Sequence, residues 1–334
     1  MSLSTLCRQA ATQFQRRASS HAARAMSSSG LGYEPNTSQF PKFKPQDNSS
    51  GFHDKSLHAE KTWTPEQIDD AIRDNSVFSW GASDPLRKST ILAKRAEGVY
   101  IYDENDKQIL DWSAGAVCSN LGHDMPQSIK DAVTKQMEEL PFVYGDLYTT
   151  EIRARLCKLL GEISPADLNG FLFASGGSEA NEAAIRLARR YTGRPKILSR
   201  ARSYHGGSTA SLAMTGDPRR WAVDAGVPGF VKIMDPFPFT FSWGDSEEEM
   251  VERSLGALHD QILTEGPEQI AAIFLESITG ANGWMLTPTA YMQGVRALCD
   301  RYGILLVCDE VMTGFGRTGH MFGFQNFEGV VPDM

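Results

Sequence analysis

The sequence predicts an α/β fold in which helices cover both faces of a mainly parallel sheet, and two segments carry that prediction. Ile304–Cys308 reads ILLVC, a short unbroken apolar run that suits a strand buried on both faces. Gly170–Arg190 reads GFLFASGGSEANEAAIRLARR, which predicts a strand, a glycine turn and a long helix. At 334 residues with 41% hydrophobic content, the chain can bury a core, and one large α/β domain plus a partial second one is expected.

The helix of the second segment is predicted by apolar residues that recur at helical spacing. They are Ala180, Ala183, Ala184, Leu187, Ala188 and Tyr191. The turn at 175–178 lies at the helix N-terminus, where unpaired N–H groups and the helix dipole favour an anion, above all a phosphate. From the turn alone, an interpretation without an anion is supported equally well. In it, Ser178 caps the helix and the glycines only turn the chain. The spacing matches neither a P-loop nor GxGxxG.

An acid pair, Asp309 and Glu310, directly follows the buried strand. Open α/β sheets place ligand-contacting groups at the carboxyl ends of their strands. The glycines that follow, Gly314, Gly316 and Gly319, allow the backbone to fold back tightly. By itself, this pattern fits a cofactor contact, a magnesium site or a ribose contact.

Four motifs occur in order along the chain. They are SGGSEANEAAIRLAR at 175–189, RSYHGG at 202–207, FLESITGANG at 274–283 and LLVCDEVMTGFGRTG at 305–319. Together they resemble the class III aminotransferases, and the resemblance runs from about Glu97 to the last residue. It implies fold type I of the enzymes that depend on pyridoxal 5'-phosphate (PLP). That fold has a three-layer large domain with a mainly parallel sheet, together with a small α+β domain that is partial here.

The resemblance implies that the protein binds PLP, whose phosphate and ring each need partners. At the family's motif positions, Gly177 and Ser178 hold the phosphate. Tyr204 stacks on one face of the pyridine ring, and Val311 closes the opposite face. His205 follows Tyr204 and is expected near the cofactor. Without the resemblance, Tyr204 and Val311 would be interpreted as ordinary core packing.

The resemblance also implies roles for two acids. Asp309 matches the carboxylate that pairs with the pyridine nitrogen and favours its protonated form. The protonated ring then withdraws electrons from the substrate carbon. Glu276 matches an acidic residue near the cofactor's phenolic side. Many relatives follow this Glu with Pro, whereas this chain has Ser277, which leaves the local backbone geometry open.

Family members also bind PLP through a lysine that lies a few residues after a PD[ILM] sequence. This chain reaches Pro332, Asp333 and Met334 and stops, and its last lysine is Lys232. We therefore expect the Schiff-base lysine beyond Met334, in a longer protein of which this is a piece that is inactive alone. The alternative is an inactive truncated chain that regulates a full-length paralogue.

The expected reaction is transamination from an ω-amino donor to a 2-oxo acid, either pyruvate or 2-oxoglutarate. LAMTGDPRRW at Leu212–Trp221 resembles the ω-amino-acid enzymes, with taurine or β-alanine as the favoured donor. The family also includes an aminomutase, a decarboxylase and phospho-lyases, which stay open as alternatives. A homodimer with its sites at the interface is expected from the resemblance.

The N-terminal 33 residues are basic and contain neither Asp nor Glu. Their arginines, Arg8, Arg16, Arg17 and Arg24, could lie opposite an apolar helix face, as in a mitochondrial transit peptide. We expect the mitochondrial matrix, with a cytosolic form starting at Met26 left open. A disordered basic tail is the alternative interpretation.

Residues 34–61 are rich in Ser, Asn, Pro and charge, which predicts a linker. Residues 62–125 are expected to form an N-terminal arm and part of the small domain, with a helix over Asp69–Trp80. Residues 126–334 are expected to form the PLP-binding domain, incomplete at its C-terminal end. Trp80, Phe142 and Tyr144 match positions that line the substrate site in relatives, although such aromatics also pack between domains.

Composition argues against several other functions. The net charge of the chain is −8. Without the four N-terminal arginines, 29 basic and 41 acidic residues remain, which is a net charge of −12. This acidic balance argues against a nucleic-acid-binding surface. The five cysteines are scattered without a CxxC, and the seven histidines lack metal-ligand spacing, so neither disulfides nor a metal site is expected. No long apolar run predicts a membrane span.

Overall fold

A computed structural model of the chain describes residues 63–76, 91–145, 147–165, 168–222, 227–237 and 244–334. The chain divides into two units, Met1–Asp70 and Ala71–Met334. The predicted transit peptide, the predicted linker and Trp80 lie outside the described residues and remain predictions. Among the described residues, no helix combines the length and the apolar character that crossing a membrane requires.

The first described helix, α1, spans Pro65–Asn75, so it both begins and ends earlier than the predicted Asp69–Trp80. Thr64 and Gln67 explain the earlier start. The Thr64 N–H donates to Gln67 Oε1 at 2.9 Å and the Gln67 N–H donates to Thr64 Oγ1 at 3.3 Å. This reciprocal pair is a capping box, and Pro65 occupies the first helical position, where its missing N–H costs nothing.

A small antiparallel sheet follows, with strands in the order β1-β2-β3. The strands are β1 (Ala93–Glu97), β2 (Tyr100–Asp103) and β3 (Gln108–Leu110). Two helices come next, α2 (Gln127–Glu139) and α3 (Glu151–Ile163), and neither contains a buried residue. Most large apolar side chains of α2 and α3 are therefore exposed in the described part of the chain.

The central sheet has four parallel strands in the order β5-β4-β6-β9. They are β4 (Lys196–Arg200), β5 (Phe230–Ile233), β6 (Ile270–Glu276) and β9 (Leu305–Asp309). A short hairpin, β7 (Ile278–Thr279) and β8 (Met285–Leu286), follows β6. The helices of this region are α4 (Gly177–Thr192), α5 (Thr209–Met214), α6 (Glu247–Glu265) and α7 (Thr289–Tyr302).

Side chains that alternate along the strands pack into two separate cores. Leu198, Leu275 and Leu306 pack with residues of α6 and α7, including Leu258 and Tyr291. Ile197, Phe274 and Val307 pack on the other face with α4 and α5, including Ile185 and Met214. The sheet thus lies between two helical layers, as the α/β prediction requires.

Two details of the predicted strand-turn-helix segment were wrong. No strand is assigned over residues 168–174, since a strand exists only where it pairs with a neighbour and no described strand pairs with this segment. In α4, the buried face contains Asn181, Ile185 and Ala188, while Leu187 is 50% and Tyr191 83% exposed. The predicted stripe combined two faces of the helix, because alanine recurs on both.

Candidate active site

Two buried carboxylates lie side by side where β6 and β9 end. Glu276 is the last residue of β6, Asp309 is the last residue of β9, and the parallel register pairs them directly. Both side chains are buried. The prediction that the acid after the apolar run lies at the carboxyl edge of the sheet is confirmed.

Asp309 is surrounded by three hydrogen-bond donors. Its Oδ2 lies 2.8 Å from His205 Nδ1 and accepts from Asn181 Nδ2 at 2.9 Å. Its Oδ1 accepts from the Val311 N–H at 3.1 Å. Burial alone would raise the pKa of Asp309, but the His205 contact, the Asn181 amide and the Val311 N–H together hold that pKa below its usual value. Asp309 is therefore kept as a carboxylate despite its burial.

Asn181 is a site residue that the sequence analysis did not select. Besides its bond to Asp309, its Nδ2 donates to the His205 carbonyl oxygen at 2.7 Å. Asn181 thus holds both the Asp309 carboxylate and the backbone of His205, the residue whose side chain also contacts Asp309. A signal was present, since a polar residue at 181 shares the helix face of Ile185 and Ala188, where only apolar residues would be expected.

His205 is buried, and its ring lies against the Asp309 carboxylate. Its ring meets Phe274 edge-on, with 6.4 Å between the ring centroids. Its backbone N–H donates to Thr215 Oγ1 at 2.9 Å, which fixes the segment to the end of α5. Within the described residues, His205 Nε2 is buried and has no hydrogen-bond partner. The side chain is thus placed to orient Asp309.

Glu276 connects two loops through its carboxylate. Its Oε1 accepts from the Tyr204 N–H at 3.0 Å, and its Oε2 accepts from the Gly280 N–H at 2.8 Å. Burial raises the pKa of Glu276, the charge of nearby Asp309 adds to that rise, and attraction to His205 and the two N–H donors oppose it. Asp309 is bound by two side chains and one backbone N–H group, whereas Glu276 accepts from two backbone N–H groups, one of which belongs to Tyr204.

The N-terminus of α4 borders the same edge of the sheet. Its N-cap is Gly176, and Ser178 Oγ instead accepts from the Gly207 N–H at 2.9 Å. The alternative in which Ser178 caps the helix is therefore wrong. A Cβ built on Gly176 would meet no atom within 4 Å, so the space in front of this glycine is open.

Two glycines permit close packing at this position. A Cβ on Gly177 would lie 2.8 Å from a methyl group of Val311, which places Val311 against the start of α4. Gly206 has φ +140°, and a Cβ there would lie 2.3 Å from Ser178 Oγ. The segment at Gly206–Gly207 thus contacts the first turn of α4 directly.

Glu310 holds the loop after β9 in place. Its Oε1 accepts from Ser277 Oγ at 2.6 Å and from the Phe324 N–H at 2.8 Å. Its Oε2 accepts from Thr313 Oγ1 and the Gly323 N–H, both at 2.7 Å. Ser277, at the position left open by the sequence, is fully buried and supplies a donor that a proline would lack.

The arrangement suits PLP on chemical grounds. The space beside Gly176 at the N-terminus of α4 is open, and the unpaired N–H groups of a helix N-terminus can bind a phosphate. Asp309 provides an ionised buried carboxylate for a protonated ring nitrogen, and Tyr204 and Val311 provide an aromatic and an aliphatic surface. Tyr144 lies apart in sequence, in the turn before α3, and is 57% exposed. Its role, like that of Trp80, remains a prediction.

Comparison with known proteins identifies relatives of the chain. The sequence pattern of the family described as "Aminotransferase class-III" matches residues 83–334. A putrescine–pyruvate aminotransferase of Pseudomonas aeruginosa is 34% identical over 256 residues, which cover 74% of this chain and 56% of that protein. A mitochondrial γ-aminobutyrate transaminase 1 of Oryza sativa subsp. japonica is 36% identical over 254 residues, which cover 73% of this chain and 49% of that protein.

A solved structure gives the same result. Taurine:2-oxoglutarate aminotransferase of Bifidobacterium kashiwanohense, in complex with PLP and glutamate, is 42% identical with a TM-score of 0.75. The match covers 82% of this chain and 61% of that one. The chain thus spans about half the length of the curated relatives it matches. It belongs to the class III aminotransferases, and its fold is that of the PLP-dependent fold type I transaminases.

Proposed function

We propose that the protein of which this chain forms all or part is a PLP-dependent aminotransferase that moves an amino group from an ω-amino donor to a 2-oxo acid. The observation that carries the proposal is the buried, ionised Asp309 beside the open N-terminus of α4. PLP, when bound, withdraws electrons from the substrate carbon that carries the amino group.

Each residue of the site would have a defined task toward PLP. Asp309 would keep the ring nitrogen protonated, because a buried carboxylate with a low pKa favours a positive partner. The N–H groups of Gly177 and Ser178 would bind the phosphate. Tyr204 and Val311 would enclose the ring, and Glu276 would lie near its phenolic side.

The donor class is supported by similarity. The taurine enzyme is 42% identical to this chain, and the putrescine enzyme is 34% identical. The taurine enzyme is named for 2-oxoglutarate and the putrescine enzyme for pyruvate, and either 2-oxo acid fits the proposed acceptor here. Taurine or β-alanine remains our preferred donor.

Product analysis tests the reaction. The purified protein, in its longest natural form, is supplied with PLP, taurine or β-alanine, and pyruvate or 2-oxoglutarate. We expect alanine or glutamate in an amount equal to the amine consumed. Ammonia released without a 2-oxo acid would indicate a lyase, and carbon dioxide would indicate a decarboxylase. The position of the Schiff-base lysine beyond Met334 remains a prediction.

A homodimer is proposed as the functional assembly. Apolar side chains of the α2–α3 region are exposed, among them Val133, Met137, Phe142, Leu147 and Ile152. Clusters of this kind mark surfaces that another chain covers. Analytical ultracentrifugation of the longest natural form tests this, with a dimer expected and a stable monomer contradicting it.

Mitochondrial localisation is proposed from the basic N-terminus, and several relatives carry the word mitochondrial in their names. Residues 1–40 placed ahead of a fluorescent protein should direct it to mitochondria. A diffuse cytosolic signal would contradict the proposal.

A further inference from the structure

Tyr204 is held at two points of its structure. At the backbone, its N–H donates to Glu276 Oε1 at 3.0 Å. At the ring, the guanidinium carbon of Arg219 lies 4.1 Å from the ring centroid. That distance is well within the range in which a cation is attracted to an aromatic face. The Tyr204 ring thus lies against a residue of the LAMTGDPRRW motif.

Arg219 is itself fixed by Asp217. Its Nε and Nη2 donate to the two carboxylate oxygens of Asp217, each at 2.7 Å. Its backbone N–H also donates to Asp217 Oδ1 at 2.8 Å. A planar fork bound at two points keeps the guanidinium in one orientation. The pKa of Asp217 is lowered, chiefly by this bond, so its carboxylate stays charged.

The turn that carries Asp217 is anchored to the segment that carries Tyr204. Thr215 Oγ1 accepts from the His205 N–H at 2.9 Å, and the Gly216 N–H donates to the Ser203 carbonyl oxygen at 2.9 Å. A Cβ on Gly216 would lie 2.2 Å from the Ala201 carbonyl oxygen, so this approach requires glycine. The two segments are therefore joined directly by hydrogen bonds and a close backbone approach.

We propose that Arg219, held by Asp217, is a positioning residue that sets the plane of the Tyr204 ring for stacking against PLP. The inference rests on the proposed function, since it needs PLP to bind beside Tyr204. Arg219 does not contact the reacting atoms in this proposal. Its effect passes through Tyr204, and it should change how well the PLP ring binds while leaving phosphate recognition by α4 intact.

The test compares four variants with the wild-type protein. Arg219→Ala removes the guanidinium, Arg219→Lys keeps a charge without the planar fork, and Asp217→Asn keeps the guanidinium but loosens it. Arg301→Ala is the matched control, since Arg301 lies over the Tyr302 ring at 5.2 Å on α7. Each protein is titrated with PLP by absorbance, and the circular dichroism of bound PLP is recorded.

We expect Arg219→Ala to raise the dissociation constant for PLP by about three- to tenfold and to weaken the dichroism, which reports ring geometry. Arg219→Lys and Asp217→Asn should give smaller shifts in the same direction. Arg301→Ala should match the wild type. The dissociation constant for inorganic phosphate, obtained by competition with PLP, should be the same in all five proteins, because phosphate lacks a ring.

Three results would overturn the inference. Wild-type PLP affinity and dichroism in Arg219→Ala would show that the ring needs no such support. Equal weakening of PLP and inorganic phosphate would indicate general damage to the site, and Asp217→Asn decides the case if Arg219→Ala does not fold. Absence of saturable PLP binding in the wild type would instead refute the proposed function, and the inference with it.

Discussion

Two buried acids at the carboxyl edge of the central sheet, Asp309 at the end of β9 and Asp235 just after β5, have pKa values shifted in opposite directions. At β9, burial of Asp309 is outweighed by His205, Asn181 and the Val311 N–H, and the pKa falls. Just after β5, burial of Asp235 outweighs the attraction of Arg200 at the end of β4, and the pKa rises to about 6. Both acids are buried.

The comparison shows that burial alone does not identify a functional acid. What distinguishes Asp309 is a set of donors supplied by three separate segments and directed at one carboxylate. A set of this kind stabilises charge in an apolar setting. The first three experiments below test this difference and the last tests the neighbouring acid Glu310, from the largest expected effect to the smallest.

Replacing Asp309 with Asn should have the largest effect on activity. The amide keeps the size of the side chain but removes the negative charge. We expect turnover to fall by about a hundredfold or more, since a buried charge partner contributes on this scale. The measurement is the steady-state kcat of the longest natural form, with the thermal unfolding midpoint as the check on folding. Near wild-type turnover would contradict the role of Asp309.

The opposite behaviour of Asp235 should appear in the pH dependence of stability. Its pKa is 3.8 in the unfolded chain and about 6 in the folded one, so the folded state retains a proton between these values. Stability therefore falls as pH rises from about 4 to 6, by about 3 kcal/mol, and is flat above. Urea unfolding of wild type and Asp235→Asn across this range measures it. A constant difference between the two proteins would be inconsistent with the raised pKa.

Removing Asn181 should reduce the difference between the pKa shifts of Asp309 and Asp235. Asn181→Ala deletes one of the donors of Asp309, so the pKa of Asp309 should rise toward its usual value. We expect the acid limb of the pH–activity profile to move to higher pH and the stability to fall by about 1–3 kcal/mol. Asn105→Ala, at an exposed turn, is the matched control. An unmoved acid limb would show that His205 and Val311 suffice.

The smallest effect is expected at Ser277. Ser277→Ala removes one donor of Glu310, which retains Thr313 and two backbone N–H groups. We expect a loss of about 1 kcal/mol in the free energy of unfolding, with little change in activity. Ser254→Ala, whose hydroxyl bonds only within its own helix, is the control. A large loss of activity would mean that Glu310 has a more direct role.

Part of this site could be predicted from the sequence, because the relevant patterns are local. The apolar run before Asp309 indicates the end of a strand, and the glycine turn before α4 indicates the start of a helix. Asn181 was missed because its partner Asp309 lies 128 residues away in the chain. Arg219 was missed as a partner of Tyr204 because their contact depends on how the chain folds back between residues 204 and 219, which the sequence pattern does not reveal.

The same dependence on contacts between distant segments explains the two errors in the predicted fold. A strand at 170–174 was expected from apolar residues, but pairing depends on neighbours that sequence periodicity does not reveal. The apolar stripe of α4 was misjudged because Leu187 and Tyr191 are exposed in the described chain. Local chemistry indicated the element types, while the contacts between distant segments decided which faces are covered.

The direct pairing of Glu276 with Asp309 has a consequence for how such proteins can diversify. Two parallel strands keep these acids one strand spacing apart, whatever length of chain joins them. The hairpin of β7 and β8 lies within that connection, outside the strand pairing that sets this register. Natural or laboratory evolution therefore has a place to remodel the surroundings of the site while its charged centre stays in register.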